Sequence, residues 1–231
     1  MSALPPPEQK AAAVRSMFDR ISPSYDRVNR VMTLNADQRW RRALVQKLGV
    51  GPGDRVLDLA CGTGDFTMLC RQAGAEAVGL DFSGGMLRAA TERHGESSAW
   101  VQGDALRLPL KEGSFTVALS GFALRNFVDI APAMQELARV LVRGGRLGLL
   151  EVDRPANPVI RFGHGMYFNR VVPLVGGVLA DRQAYRYLPQ SASYLPEQDE
   201  LVRILVDAGF HRIQKRSPMF GAIQSVTAVR G

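Results

Sequence analysis

The sequence predicts an α/β protein, a mostly parallel sheet with helices on both faces. Three observations predict it. Short apolar runs alternate with amphipathic stretches between residues 51 and 152, glycines sit where runs give way to helices, and the alternation resumes near residue 197 after an interruption of about 44 residues. At 231 residues, 46% apolar and 22% charged, the composition excludes a disordered, collagenous or disulfide-stapled chain. One elaborated domain with one sizeable core is expected over residues 1–231.

Residues 1–7 form a proline-rich tail, and 8–50 read as helices. Ala11, Val14, Met17 and Phe18 recur at helical spacing, as do Val28, Val31 and Met32, then Trp40, Leu44 and Leu48. Pro23 ends the first piece, because the residue before a proline is driven out of the helical region. At Gly51-Pro-Gly-Asp54 the period changes, and 51–152 reads as the core of the sheet. Arg55–Ala60 is a buried parallel strand, Cys61–Gly64 a turn, and Asp65–Gln72 a helix. Ala77–Asp81 is a second strand, followed by a helix that Ser83 N-caps and that runs to about His94. Trp100-Val101 and Phe115–Gly121 give two more strands. A helix from about Ile130 to Leu141 stops at Arg143-Gly-Gly145 and leads into strand Arg146–Val152. Residues 153–196 interrupt the pattern, and 197–231 complete it with helix Glu197–Ala208 and strands Phe210–Arg216 and Ala222–Val229.

Twenty-nine Lys and Arg against 22 Asp and Glu give a net charge of +7, which favours anionic surfaces, either nucleic acid or an anionic membrane leaflet. Cys61 and Cys70 are nine apart and match no redox or zinc spacing, so reduced thiols in a cytoplasm are expected. His94, His164 and His211 show no ligand spacing, and no metal is expected. No signal-peptide pattern opens the chain. The longest apolar stretch, Val171–Ala180, is too short to span a bilayer.

The strongest local signal is Val56-Leu-Asp-Leu-Ala-Cys-Gly-Thr-Gly-Asp65. Glycines at a strand-to-helix turn let a ligand approach the backbone, which places one over Gly62, Thr63 and Gly64. Thr67 occupies the third small position of a dinucleotide fingerprint, and a phosphate loop's Gly-Lys-Ser/Thr is absent. Asp58 and Asp65 instead make the loop acidic, suiting a ligand with ammonium and sulfonium cations. Asp81, nineteen residues after Gly62 at the end of the second strand, is placed to accept from both ribose hydroxyls. Asp104 can accept from an adenine amino group while the Ala105 backbone serves a ring nitrogen. These features together describe S-adenosylmethionine.

Asp58-Leu-Ala-Cys-Gly-Thr-Gly64 with Asp81 and Gly103-Asp-Ala105 resembles the class I S-adenosylmethionine-dependent methyltransferases. That resemblance implies a Rossmann-like three-layer α/β/α sandwich with a seven-stranded sheet whose last strand is antiparallel. It fixes fold and methyl donor, not substrate. Phe18-Asp-Arg-Ile-Ser22, Tyr25-Asp-Arg-Val-Asn-Arg-Val-Met-Thr33, Gly121-Phe-Ala-Leu-Arg-Asn126, Arg139–Glu151 and Ala184-Tyr-Arg-Tyr-Leu-Pro-Gln-Ser191 are similar to the signatures of the ubiquinone/menaquinone biosynthesis C-methyltransferases. Asn35, Asp37, Ala123, Arg143 and Val152-Asp153 depart from those signatures. Gly121, rather than Ser, looks more like the menaquinone members, so demethylmenaquinol is the expected substrate.

Such an enzyme moves a methyl group to a ring carbon of a polyprenylated hydroquinone, which requires a phenolate, an in-line methyl and exclusion of water. Arg125 is the candidate for stabilising the phenolate, and Asn126 and Tyr185 for binding quinol oxygens, with Tyr25 beside them and Asp153 as a weaker candidate base. Gly121 joins the donor-binding set at the end of the fourth strand. The insertion is expected to act as a lid whose apolar residues form a channel for the isoprenoid tail, or to pack on the core or on a second copy in a homodimer. Three rivals stand beside this reading: a methyltransferase for another small molecule or lipid, a nucleic-acid-binding module, and a non-catalytic scaffold. The basic excess concentrates in the N-terminal helices and the insertion, around a hydrophobic substrate's entrance. It therefore points to peripheral contact with the inner face of the cell membrane rather than to nucleic acid.

Overall fold

Alternation of side chains along each strand decides what the sheet can bury. Val56 and Leu57 face opposite ways, as do Val117 and Ala118, and both members of each pair are fully buried, so both faces must be covered. The computed structural model describes residues 9–95, 98–153, 155, 157–166, 170, 184, 187 and 190–231. Its strands are β1 (Arg55–Leu59), β2 (Glu76–Asp81), β3 (Ala99–Gln102), β4 (Phe115–Gly121), β5 (Leu141–Val152), β6 (Phe210–Arg216) and β7 (Ile223–Arg230). They form one seven-stranded sheet of order β3-β2-β1-β4-β5-β7-β6. β7 runs antiparallel to both β5 and β6, and the remaining pairings are parallel. The expected seven-stranded, mostly parallel sheet is therefore the sheet observed.

The helices are α1 (Lys10–Ile21), α2 (Tyr25–Thr33), α3 (Ala36–Lys47), α4 (Asp65–Gln72), α5 (Gly84–His94), α6 (Ile130–Val140), α7 (Pro158–Met166) and α8 (Gln198–Asp207). Leu57, Leu59, Leu147 and Leu149 meet Met134 and Leu137 of α6 and Leu201 and Leu205 of α8 on one face. Val56, Val117 and Leu150 meet Leu44 and Val45 of α3 and Phe66 and Cys70 of α4 on the other. A third apolar cluster joins Val14, Met17, Ile21 and Val28 of α1 and α2 to Met86 of α5 and to Ala184 and Tyr187. The N-terminal helices are thereby seated over the carboxyl end of the sheet.

The local signals work as their chemistry dictates, with two exceptions. Ser83 caps α5 by accepting from the Met86 N–H at 3.1 Å, and Gly209, at φ +88°, ends α8. The glycines Arg143-Gly-Gly145, however, do not stop α6. That helix ends at Val140, Leu141 is already extended and pairs with Phe115, and the glycines form a register shift inside β5. The second exception is a helix break at Leu34 and Asn35, both left-handed at φ +50° and +61°, which separates α2 from α3. The proline tail and most of the 153–196 insertion, with the Val171–Val175 part of its channel, lie outside the described residues.

Candidate active site

The crossover direction reverses between β1 and β4, and a sheet of this kind binds ligands outside the carboxyl ends of the strands at that switch point. Ala60 after β1 and Phe122 after β4 are both left-handed, at φ +56° and +61°, so the chain turns sharply outward on either side of the crevice. A cleft of about 860 Å³, part of it open to solvent, lies there, lined by Gly62, Asp81, Asp104, Ala105, Gly121 and Asn126. Val14, Phe18 and Tyr25 of the N-terminal helices roof it.

Asp81 organises this cleft. Its two carboxylate oxygens accept the N–H groups of Gly62 and Ser83, each at 2.8 Å, so the acid also fixes the glycine turn. Burial pushes its carboxyl up to about 6 against those bonds. Asp104 accepts from the Leu106 N–H at 2.9 Å, a turn that presents Ala105 to the cleft.

Three residues of the expected donor-binding set are used differently. Asp58 shares a strand face with Val56, so its carboxylate points to α4 and accepts both the N–H and the hydroxyl of Thr67, at 2.8 and 2.7 Å. It holds the first turn of α4, and burial raises its carboxyl to about 7. Thr63 donates its hydroxyl to Asp26 of α2 at 2.6 Å. Gly64, at φ +89°, makes room for Trp100, whose ring would lie 2.5 Å from an added Cβ. Of the two glycines of the loop, Gly62 is the one that lines the cleft.

The loop is not acidic in the way its sequence implies. Asp65 receives Arg30 at 2.7 Å, Arg41 at 3.6 Å and Arg93 at 3.4 Å, and these cations hold its carboxyl below the usual range despite burial. Arg30 also pairs with Asp37, and Arg93 with Asp26. Arg30 and Arg41 of the N-terminal helices are thus committed to internal ion pairs rather than to an outer surface.

A second cavity, of about 1830 Å³ and partly open, adjoins the first; Phe18, Tyr25 and Phe122 line both. Its wall is mostly apolar, with Met17, Ile21, Met32, Trp40, Val152 and Ile223 among the lining residues. Arg125 reaches this cavity from the turn after β4. The guanidinium is 6% exposed and paired with the 1% exposed carboxylate of Glu151. Among the described residues Arg125 Nε and Glu151 Oε2 have no hydrogen-bond partner, so the pair retains polar capacity in an apolar setting. Asn126, the next residue, faces the first cavity instead, and its carbonyl accepts from the Tyr187 hydroxyl at 3.3 Å. Tyr25 stands between the two cavities; burial raises its phenol while Arg41 and Arg125 pull it back.

Tyr185 lies outside the described residues. Asp153 is paired with Lys215 at 2.9 Å and is not among the lining residues of either cavity. His94 packs on Trp100 and meets the Thr63 carbonyl at 3.2 Å. Glu151 and Tyr187, the partners of Arg125 and Asn126, are not singled out by the sequence, although both lie inside quoted signatures. The signal for Glu151 was its place at the carboxyl end of a strand, adjacent to the residue that pairs with Gly121.

The family model for the ubiE/COQ5 methyltransferase family matches residues 7–230. The chain belongs to that family. Among curated relatives, a demethylmenaquinone methyltransferase of Roseiflexus castenholzii is 44% identical over 99% of this chain and 98% of its own length. The ubiquinone/menaquinone biosynthesis C-methyltransferase UbiE of Syntrophotalea carbinolica is 36% identical over 94% and 93%. A SAM-dependent methyltransferase structure from Thermotoga maritima shares the fold of this methyltransferase, with a TM-score of 0.66 at 20% identity over 94% and 100% of the two chains. In the methyltransferase two separate segments converge, since Tyr25 of α2 and Phe122 and Arg125 after β4 all line the second cavity, and Tyr25 and Phe122 line the first as well.

Proposed function

We propose that the protein transfers the methyl group of S-adenosylmethionine to a ring carbon of demethylmenaquinol, forming menaquinol at the inner face of the membrane. The observation that carries this reading is the pair of adjoining cavities, one carrying the carboxylates Asp81 and Asp104 on its wall, the other larger and mostly apolar with the buried Arg125 among its lining residues. The residues of the first cavity fit the donor: Asp81 keeps lone pairs for ribose hydroxyls, and the Asp104-Ala105 turn faces the adenine position. Bound there, S-adenosylmethionine supplies an electrophilic methyl on a sulfonium.

The quinol ring belongs at the junction, between Tyr25 and Phe122, with its prenyl tail in the apolar cavity. A neutral phenol carbon is a weak nucleophile, so the hydroxyl first gives its proton to solvent at the open side of the cavity; the ring carbon then bonds the methyl as the methyl–sulfur bond breaks, and loss of the ring proton to solvent restores the aromatic diol. Arg125, held by Glu151, lowers the energy of the resulting phenolate in a low-dielectric site where such a charge interaction is strong. Asn126 and Tyr25 position the ring oxygens, and the roof of α1 and α2 keeps water from the methyl. The relatives' names, demethylmenaquinone and ubiquinone/menaquinone methyltransferase, support the quinol class.

Incubation of purified protein with S-adenosylmethionine and a short-chain demethylmenaquinol, followed by mass spectrometry, should give a product heavier by one methylene. Cofactor binding without any methylated quinol would overturn the reading.

A further inference from the structure

Among the described residues nine large apolar side chains are exposed, and they are not scattered. Leu34, Met219 and Phe220 line the apolar cavity and are 85%, 51% and 80% exposed, so they form its mouth. Helix α7 borders the same cavity through Ile160 and Gly163. On the adjacent stripe of that helix, Val159, Phe162 and Met166 point to solvent at 78%, 74% and 45% exposure. Six of the nine therefore surround one opening. A soluble surface rarely concentrates large apolar side chains in this way without a partner.

The backbone presents these side chains deliberately. Leu34, Met219 and Phe220 all adopt left-handed φ, at +50°, +53° and +55°, a region that costs energy for side chains of this size. Pro218 precedes the last two and helps fix the tip between β6 and β7. The three segments at the mouth, residues 31–36, 157–166 and 216–220, carry Arg161 and Arg216, both exposed, and the acids beside them, Asp37 and Asp153, are each paired with a cation, Arg30 and Lys215. Apolar side chains flanked by cations suit a surface that is anionic at the level of the headgroups and hydrocarbon beneath.

We propose that this rim is a docking face for an anionic bilayer, with Phe162, Phe220, Leu34 and Met219 inserted at the boundary of headgroups and acyl chains. Rim insertion would place the cavity mouth against the hydrocarbon, so that a prenylated quinol enters without crossing water. The inference rests on the quinol reading for its purpose, but its test does not depend on turnover.

The test uses the full chain with vesicles of equal parts phosphatidylglycerol and phosphatidylcholine, with phosphatidylcholine alone as the neutral control. A tryptophan introduced as Phe162→Trp or Phe220→Trp should shift to shorter emission wavelengths and be quenched by lipids brominated in their acyl chains. Val159→Ser with Phe162→Ser, which leaves the cavity lining untouched, should weaken binding to the anionic vesicles by about tenfold or more. That variant should still methylate a detergent-solubilised short-chain quinol as the parent does. No emission shift at either position, or unchanged vesicle binding in the double variant, would overturn the proposal. So would a dimer formed without lipid and broken by the same double substitution, because the rim would then cover a second copy. Quinol turnover without insertion sinks the docking face alone, and insertion without quinol turnover sinks the quinol reading while supporting the docking face.

Discussion

Asp81→Asn removes one charge and keeps the shape of the side chain. In the folded chain each carboxylate oxygen accepts one backbone N–H, from Gly62 and Ser83 at 2.8 Å. A carboxylate offers roughly four acceptor sites, so about two remain for the ribose hydroxyls. The asparagine keeps an oxygen for one N–H and turns its NH2 towards the other, donor against donor. Hydrogen bonds to an ionised acceptor contribute about 1.5–3 kcal/mol and neutral ones about 0.5–1.5 kcal/mol, so two weakened ribose contacts cost about 2 kcal/mol. That is roughly 30-fold in Kd. Stability moves the other way. Burial pushes the Asp81 carboxyl up to about 6, above its ordinary value, so the folded state holds this proton more tightly than the unfolded chain does. The stabilising effect of that proton is complete below about pH 4 and is lost as the pH rises through about 6, leaving a charge that costs about 2–3 kcal/mol at neutral pH. Asparagine avoids that cost, which offsets the bonds it loses. Titration calorimetry at about pH 7.5 should show S-adenosylmethionine binding weakened by roughly 30-fold, with an unfolding temperature within a few degrees of the parent. Lowering the pH through about 6 should weaken the parent towards the variant, because a protonated Asp81 resembles the amide. A variant Kd within about threefold of the parent at neutral pH would refute the reasoning.

Glu151→Gln leaves the Arg125 charge buried without its counter-ion, which typically costs about 3–5 kcal/mol, and thermal unfolding should fall by roughly 6–20 °C for a chain of this size. Arg125→Lys should keep part of that stability yet lower kcat far more than it weakens S-adenosylmethionine binding; equal losses in both would make Arg125 a purely structural residue. Gly64→Ala places a Cβ 2.5 Å from Trp100 at φ +89°, and left-handed strain plus overpacking predict a loss of about 2–5 kcal/mol, read as the urea midpoint. An unchanged midpoint would mean that Trp100 swings aside at little cost.

What the sequence discloses here divides along the range of the interaction. Strands, caps and most helix ends are written within a few residues, so β4, α4 and β6 match their apolar runs and turn residues closely. The α6 stop fails because a competing partner, Phe115 on β4, takes Leu141 into the sheet before the glycines are reached. Asp58 illustrates a legible signal left unread: its two-residue offset from Val56 already places it on the strand face that Val56 shares, which is the face α4 covers. Asp65 is different. Its acidity is cancelled by Arg30, Arg41 and Arg93, which lie 35, 24 and 28 positions away and reach it only through the packing of α2, α3 and α5. Nothing in the spacing of those arginines announces that they share a carboxylate. Arg125 and Glu151 likewise meet only because β4 and β5 are neighbours in a particular register.

The roof over the donor cleft is stitched down by charge as well as by apolar contact. Asp26 of α2 takes Thr63 and Arg93, Arg30 takes Asp65, and Asp19 of α1 accepts from the Ser83 hydroxyl and the Gly85 N–H. With the donor bound as proposed, it and its spent product would pass beneath those ties, and we predict that the roof acts as an ionic latch whose opening enters the catalytic cycle. The Arg93–Asp26 pair, 43% and 28% exposed, is the tie that salt reaches first. Stopped-flow release of the demethylated donor should therefore quicken as ionic strength rises, and a salt-independent rate would leave the apolar cluster of α1, α2 and α5 as the sole fastening. The enzyme's pace would then be set partly by the salt of its surroundings, through residues that touch neither methyl nor quinol.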